Sequence, residues 1–455
     1  MEPNVLNPQD AEQPERSIPE TNGSTAPNSG PTSTGTSSLA GAVCLVAVAA
    51  NLGLPGINQP VAMTILLTVV GYGLARAIHR NVSTEPWRAP LILGLAARVF
   101  PAVLLVATLS GLYGLIIDGG LASSESLALL SAITFTSNIV PFVTGAGYPP
   151  VEHFWVVALV AQAALVAPWL LTCRSDRLDR RRRAFLLLAG AAALSLFRLI
   201  AIATTDGAAW VSPYQQTGAG LTAASTSLDG LLVGLAVGTV PLASLHRHPT
   251  TKIVVPMLVG LTTLLVVPPV GGSLVTTGLG IPLAAALTGS VLAAAAIFSL
   301  PKSIDGLLAN PWLHRLSTRS FGLYLWHIPF AFGVAGANPF QWHGPVVFVV
   351  VLTLSLAAAS TTYRSIELPA LTTFQWVERR WFPGDVIILT NPTPQRDKWR
   401  RWDEISLDDL PRPPERRNPS LSAGRLWQHG DCTARVRPEA NPETLDTPDD
   451  SALAG

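Results

Sequence analysis

Charge is scarce in this sequence. Asp, Glu, Lys and Arg make up 13% of its 455 residues, where a soluble domain carries about a quarter. So little charge cannot cover a compact body in water, which excludes an ordinary water-soluble domain. The net charge is only +1, too little for a surface that neutralises nucleic-acid phosphates, so no nucleic-acid partner is expected. Cysteine is rare as well. Cys44, Cys173 and Cys432 are scattered along the chain and form neither a disulfide framework nor a metal-ligand spacing, so no metal is expected. No internal repeat is evident, which leaves an inverted-repeat transporter without support. Residues 1–37 lack any apolar run and are rich in Pro, Ser, Thr, Asn and Gly. They are expected to form a disordered N-terminal tail without a secretory signal.

What remains is apolar: hydrophobic residues make up 49% of the chain and mean hydropathy is +0.38. Ten runs stand out, at residues 38–54, 58–78, 91–117, 152–172, 184–204, 219–243, 253–271, 277–300, 317–336 and 345–363. Most reach the ~20 residues a helix needs to cross the hydrocarbon core. A weaker stretch at 121–145 is interrupted by Ser123, Ser124, Glu125 and Asn138 and reads as re-entrant or interfacial. The cations set the orientation. Arg76, Arg80 and Arg88 lie in one connection, Arg174, Arg177 and Arg180 to Arg183 in another, then Arg247 with Lys252, and Lys302 with Arg315 and Arg319. The alternate connections carry Asp118, Glu125, Glu152 and Asp206 and no Lys or Arg. Cationic loops stay in the cytoplasm. The expected fold is therefore an all-α integral membrane bundle of about ten transmembrane helices, multi-pass in the cell membrane, with both termini cytoplasmic. After Pro369 the chain turns polar, and residues 371–455 form an expected cytoplasmic C-terminal tail. Trp376, Trp381, Trp399, Trp402 and Trp427 make that tail a candidate docking segment for a protein partner.

Strongly polar groups inside a membrane are costly and usually mark a site. The candidates are Asn51, Arg98, Asn138, Glu152, His153, Gln162, Arg198, Asp229, His327 and Glu367. Near helix ends, snorkelling toward the headgroups is the plain alternative. Arg198 and Asp229 lie deeper on neighbouring runs and are as compatible with a structural ion pair as with a catalytic one. These residue types imply a polar site inside a helical bundle without naming a reaction.

The segment Ser320-Phe321-Gly322-Leu323-Tyr324-Leu325-Trp326-His327-Ile328-Pro329 resembles the S-Y-G-L-Y-L-W-H-x-P signature of the membrane acyltransferase 3 family. Other pieces fall in the family's order. Arg98-Val99-Phe100-Pro101-Ala102 is similar to R-I-x-P-A, and His153-Phe154-Trp155 to the H-F-W that opens the fourth span. Thr226-Ser227-Leu228-Asp229 with Gly234 is similar to T-R-x-D-x-L-L-x-G. Tyr363-Arg364-Ser365-Ile366-Glu367-Leu368-Pro369 is similar to S-Y-R-x-x-E-x-P. The resemblance covers residues 38–370, the expected transmembrane domain.

The resemblance implies an integral membrane O-acyltransferase of the cell envelope. Such a protein moves an acyl group, commonly acetyl, from cytoplasmic acyl-CoA (acetyl-CoA) to a hydroxyl of an envelope glycan or glycolipid, among membrane lipid. Catalytic candidates are then His327, His153 and Asp229, while Arg98 and, more weakly, Arg76 and Arg80 are candidates to hold the donor. One departure bears on the chemistry. The family's first span carries G-L-R, ten residues, then His, its presumed base. This chain reads Ser38-Leu39-Ala40 and places Asn51 at the His position, with Gly53-Leu54-Pro55 following in register. The fourth span reads Leu159-Val160-Ala161-Gln162 instead of V-E-E-Q. An amide has no useful basicity, so His153 or His327 must supply the base if the chain is an enzyme. The alternatives are a non-catalytic, pseudoenzyme-like scaffold or glycolipid-binding protein, and a lipid transporter.

Overall fold

The computed structural model describes residues 32–81, 88–117, 119–140, 148–172, 179–204, 220–240, 251–266, 278–297, 306, 308–335 and 343–381. Much of the tail expectation, including Trp399, Trp402 and Trp427, lies outside these residues, as do the loop cations Arg174, Arg177 and Arg247. Among the described residues every regular element is helical. In chain order the α-helices are α1 (Thr32–Asn51), α2 (Gln59–Asn81), α3 (Arg88–Ile117), α4 (Ser123–Ile133), α5 (Phe154–Thr172) and α6 (Arg180–Thr204). They continue with α7 (Gly220–Thr239), α8 (Thr251–Val266), α9 (Gly280–Ile297), α10 (Pro311–Ala335), α11 (Pro345–Thr362) and α12 (Leu368–Trp381).

Each of the ten apolar runs coincides with a helix. Among the described residues, six helical segments are long and apolar enough to cross a membrane: Gln59–His79, Ile92–Ile117, Pro149–Thr172, Arg180–Ile200, Gly280–Ile297 and Pro345–Val377. The apolar parts of α1, α7 and α8 are shorter there, at Ser38–Asn51, Leu228–Thr239 and Val254–Val266. The weak eleventh stretch folds as α4, whose 11 residues rise only about 16 Å, half the hydrocarbon thickness. The turn after it carries Phe135 in the left-handed region at φ 54°. That turn is pinned to α5 by a reciprocal amide pair. Asn138 Nδ2 donates to Gln162 Oε1 at 2.8 Å, and Gln162 Nε2 donates to Asn138 Oδ1 at 2.9 Å and to the Phe135 carbonyl at 2.8 Å.

The bundle is built around α2, whose side chains are mostly buried, while α3, α6 and α11 expose Ile116, Phe185 and Val346. Apolar side chains on such faces are what lipid contact requires. Helices in lipid gain little from hydrophobicity and associate by close backbone approach at small residues. Gly230, Gly234 and Gly238 form such a stripe, one turn apart on α7. A Cβ on Gly230 would meet the Thr64 carbonyl of α2 at 2.8 Å, one on Gly238 the Tyr72 carbonyl at 2.7 Å, and one on Gly234 would collide with the Thr68 carbonyl. On the other side of α2, Gly41 lets α1 approach the α10 backbone, with the Ser317 nitrogen 2.7 Å from where its Cβ would be. α10 thus lies beside α1 and α11 in the middle of the fold.

The last apolar run does not stop at residue 363. Tyr363–Glu367 is a π-helical turn that leads into α12. The tail therefore begins as a helix: Leu371 is buried, Phe374 packs on Gly94 of α3, and Trp376 is exposed.

Candidate active site

Three residues that lie far apart in sequence meet at the start of α5 and the middle of α10. Asn51, the last residue of α1, His153, just before α5, and His327 of α10 all have 0% relative exposure. The imidazole rings of His153 and His327 lie 5.0 Å apart between centroids, in an edge-to-face arrangement. Asn51 Nδ2 lies 3.1 Å from His327 Nε2, and Gln59 Nε2 donates to Asn51 Oδ1 at 2.9 Å. His327 Nδ1 lies 2.6 Å from the Tyr324 carbonyl. A carbonyl only accepts, so Nδ1 carries the proton and Nε2 accepts from the Asn51 amide. The result is a one-way chain of hydrogen bonds from Gln59 through Asn51 and His327 to the α10 backbone.

The signature segment of α10 builds the other half. Pro329 has no N–H, so the carbonyl four residues back, that of Leu325, has no helical donor. His153 Nε2 donates to it at 3.1 Å, which explains why Pro follows the motif's His at this spacing. Tyr324 lies over both rings, with centroids 5.6 Å from His153 and 5.2 Å from His327. Its hydroxyl reaches the His153 carbonyl at 3.4 Å. Trp326 Nε1 donates to Thr362 Oγ1 of α11 at 2.9 Å, and Gly322 lets Ala359 of α11 approach within 3.1 Å of its Cβ position. The motif residues therefore orient α10 toward α5 on one side and α11 on the other. Gln59 and the Leu325 carbonyl were not singled out by sequence. The spacing from Leu325 to Pro329 was the available signal for the carbonyl.

Asp229 does not join the histidines. Its partners are Arg198 Nη2 at 2.6 Å, Ser195 Oγ at 2.9 Å and the Gly230 amide at 2.8 Å. Arg198 and Asp229 are each 1% exposed. α2 stands between the two clusters, since Met63 faces the Tyr324 hydroxyl while Thr64 and Thr68 back Gly230. Ser195 and Asp229 also line a cavity of about 360 Å³ among α6, α7 and α9, whose walls include Leu188, Leu196, Val233 and Pro282.

The motif of α3 and the closing motif meet as well. Arg98 Nε lies 3.8 Å from Glu367 Oε2, and Arg98 Nη2 donates to the Thr318 carbonyl at 3.4 Å. The π-helical turn that ends at Glu367 sets this carboxylate against α3. π-turns are rare and concentrate at functional sites. The Arg98 side chain keeps 30% exposure, while Glu367 is buried. Arg76 is half-buried near the end of α2, and Glu152 is half-buried beside His153. The Arg80 side chain lies outside the described residues.

Across residues 24–364, well over half of the chain, the sequence matches the acyltransferase 3 model, described as an acyltransferase domain. The chain belongs to the acyltransferase 3 family. No curated protein and no solved structure matches it. Family and apolar helices together make it a membrane protein of acyltransferase type. The two first-span residues at which a departure from the family pattern is expected have definite surroundings. Ala40 packs into an apolar cluster with Val69, Tyr72 and Leu292. Asn51 is the hydrogen-bond donor to His327.

Proposed function

We propose that this protein transfers an acyl group, with acetyl the simplest case, from acyl-CoA to a hydroxyl of an envelope glycan or glycolipid. The single observation that carries the reading is the buried pair His153 and His327, 5.0 Å apart, in a chain of this family. Acyl transfer from a thioester to an alcohol needs a base for the hydroxyl proton, and imidazole is suited to it near neutral pH. In this reading the chain crosses the cell membrane ten times with both termini in the cytoplasm. The histidines then lie near the face where α1 ends and α2 and α5 begin, opposite the cationic loops. Arg98 lies nearer the cationic face, about ten residues into α3, where it would meet the anionic donor. Donor and acceptor thus approach from opposite faces.

A second reading has its own support. Asn51 and Ala40 replace the family's base and its Arg, and both are integrated into well-packed surroundings. A non-catalytic glycolipid-binding member of the family would keep the fold and lose the chemistry. The experiment that separates them uses the full chain in detergent with radiolabelled acetyl-CoA and an envelope extract. Transfer of label, lost in the His153→Gln/His327→Asn double variant, is the expected result. No transfer, together with no acetyl-CoA binding by calorimetry, would sink the enzyme reading.

A further inference from the structure

We infer that His153, through Nδ1, is the proton acceptor of this chain, and that Asn51 and His327 are positioning residues which hold it in place. The inference rests on the acyltransferase reading above and assigns the base within it.

A neutral imidazole has one N–H and one lone pair. Where each nitrogen's partner is known, the lone pair still open to a substrate can be named. In His327 both nitrogens are engaged: Nδ1 donates to the Tyr324 carbonyl and Nε2 accepts from Asn51. The Asn51 amide is itself fixed, because its Oδ1 accepts from Gln59. To take a proton, His327 would have to break that chain and set Asn51 Nδ2 against a new N–H. In His153 the arrangement is opposite. Nε2 is committed as donor to the Leu325 carbonyl that Pro329 leaves free, so the lone pair sits on Nδ1. That atom is buried and has no hydrogen-bond partner. An unpaired polar atom inside a protein costs about 1–3 kcal/mol. Ser110 Oγ, Ser137 Oγ and both Glu367 carboxylate oxygens share that state among the described residues. His153 Nδ1 is the one that sits on an imidazole packed against a second histidine. A base kept open for its substrate accounts for it.

The surroundings hold the ring in this state. Phe154 and His327 both pack edge-to-face against it, at 4.7 and 5.0 Å between centroids. Tyr324 closes a third side at 5.6 Å. His327, locked by Asn51, is a fixed wall of this cage. The substitution of Asn for the family's His in the first span therefore has a specific consequence. It ties up the neighbouring imidazole and leaves one basic nitrogen in the cluster without a hydrogen-bond partner.

The step balances as follows. The acceptor's hydroxyl oxygen attacks the thioester carbonyl carbon, and its proton passes to His153 Nδ1. The new C–O ester bond forms, the C–S bond breaks, and the proton on Nδ1 passes to the leaving thiolate. The products are the ester and free CoA thiol, with no other reactant.

The test compares three proteins: wild type, His153→Gln and His327→Asn. Glutamine keeps a donor at the position of Nε2 and removes the basic nitrogen. Asparagine keeps a donor at the position of Nδ1 and removes Nε2. Each protein is supplied with radiolabelled acetyl-CoA and either the envelope acceptor or hydroxylamine, a nucleophile that needs no base. His153→Gln is expected to lose 10²- to 10⁴-fold in transfer to the hydroxyl acceptor, with unchanged acetyl-CoA binding and wild-type transfer to hydroxylamine. His327→Asn, a positioning variant, is expected to lower transfer to the hydroxyl acceptor and to hydroxylamine by the same factor, without a selective loss on the hydroxyl. The inference is overturned if His153→Gln keeps its rate, if hydroxylamine does not restore it, or if His327→Asn shows the base-deficient pattern instead. If wild type itself transfers to neither nucleophile, the acyltransferase reading fails and takes the inference with it. Transfer by wild type with the wrong variant pattern removes the inference alone.

Discussion

Asn51 and Arg198 show how single polar side chains are held in an apolar bundle. Asn51 bridges Gln59 and His327, so Asn51→Ala leaves the half-buried Gln59 donor and the buried His327 acceptor without their partner. The expected cost is about 1–3 kcal/mol, read as a lower thermal midpoint in detergent. A neutral result would mean that the bridge does not persist in the membrane. Arg198 is stricter, because Asp229 and Arg198 are a fully buried ion pair. Removing one partner strands a charge, so Arg198→Met is expected to destabilise by about 3–5 kcal/mol. The double variant Arg198→Met/Asp229→Leu should recover most of that loss, since two apolar residues leave nothing unpaired. If the double variant is as unstable as the single one, the pair is not isolated from other charges. Sequence reading reached this pair by noting opposite charges deep on neighbouring runs. It identified Asn51, His153 and His327 one by one but not as neighbours. Asn51 and His327 are 276 positions apart, and only packing brings them together. Arg98 reads as a residue to hold the donor and Glu367 as part of the closing motif, and their meeting depends on a π-turn that no residue pattern announces.

At the scale of elements, proline and glycine carry the most consequence. Pro329 sits inside α10, where an interior proline is unfavourable by about 3 kcal/mol relative to alanine. Its role here is to leave the Leu325 carbonyl to His153. Pro329→Ala should supply the missing N–H and compete with His153 for that carbonyl. The expected outcome is a thermal midpoint equal to or above wild type with transfer reduced tenfold or more. A less stable protein with an unchanged rate would contradict this account of the proline. On α7, Gly234→Val should prevent the close approach to Thr68 of α2 and abolish the monodisperse peak in size-exclusion chromatography. A folded, monodisperse Gly234→Val would show that α2 and α7 are not in backbone contact. Apolar length was enough to locate the helices, six of which are long and apolar enough among the described residues to cross a membrane. It was not enough to place α12. Its mixture of Leu371, Phe374 and Trp376 with charged residues reads as a polar tail until α3 is present to cover one face.

The whole molecule places its chemistry by topology. If the cationic loops lie in the cytoplasm, single cysteines introduced in a cysteine-free background should label from opposite faces. Ser83→Cys, between α2 and α3, is expected to react only from the cytoplasmic side, and Ser124→Cys, at the start of α4, only from the other. Labelling of both from one side would remove the alternation on which the ten-span arrangement rests. The central claim joins this topology to the histidine pair: donor from the cationic face, acceptor from the opposite face, proton taken at the buried His153 imidazole between them. Sealed proteoliposomes of known orientation test it most directly. Radiolabelled acetyl-CoA is supplied only at the cationic-loop face and the hydroxyl acceptor only at the other. The account predicts label in the acceptor across the bilayer, and loss of that label with His153→Gln. Transfer only when both substrates share one face, or none in either arrangement, would contradict it.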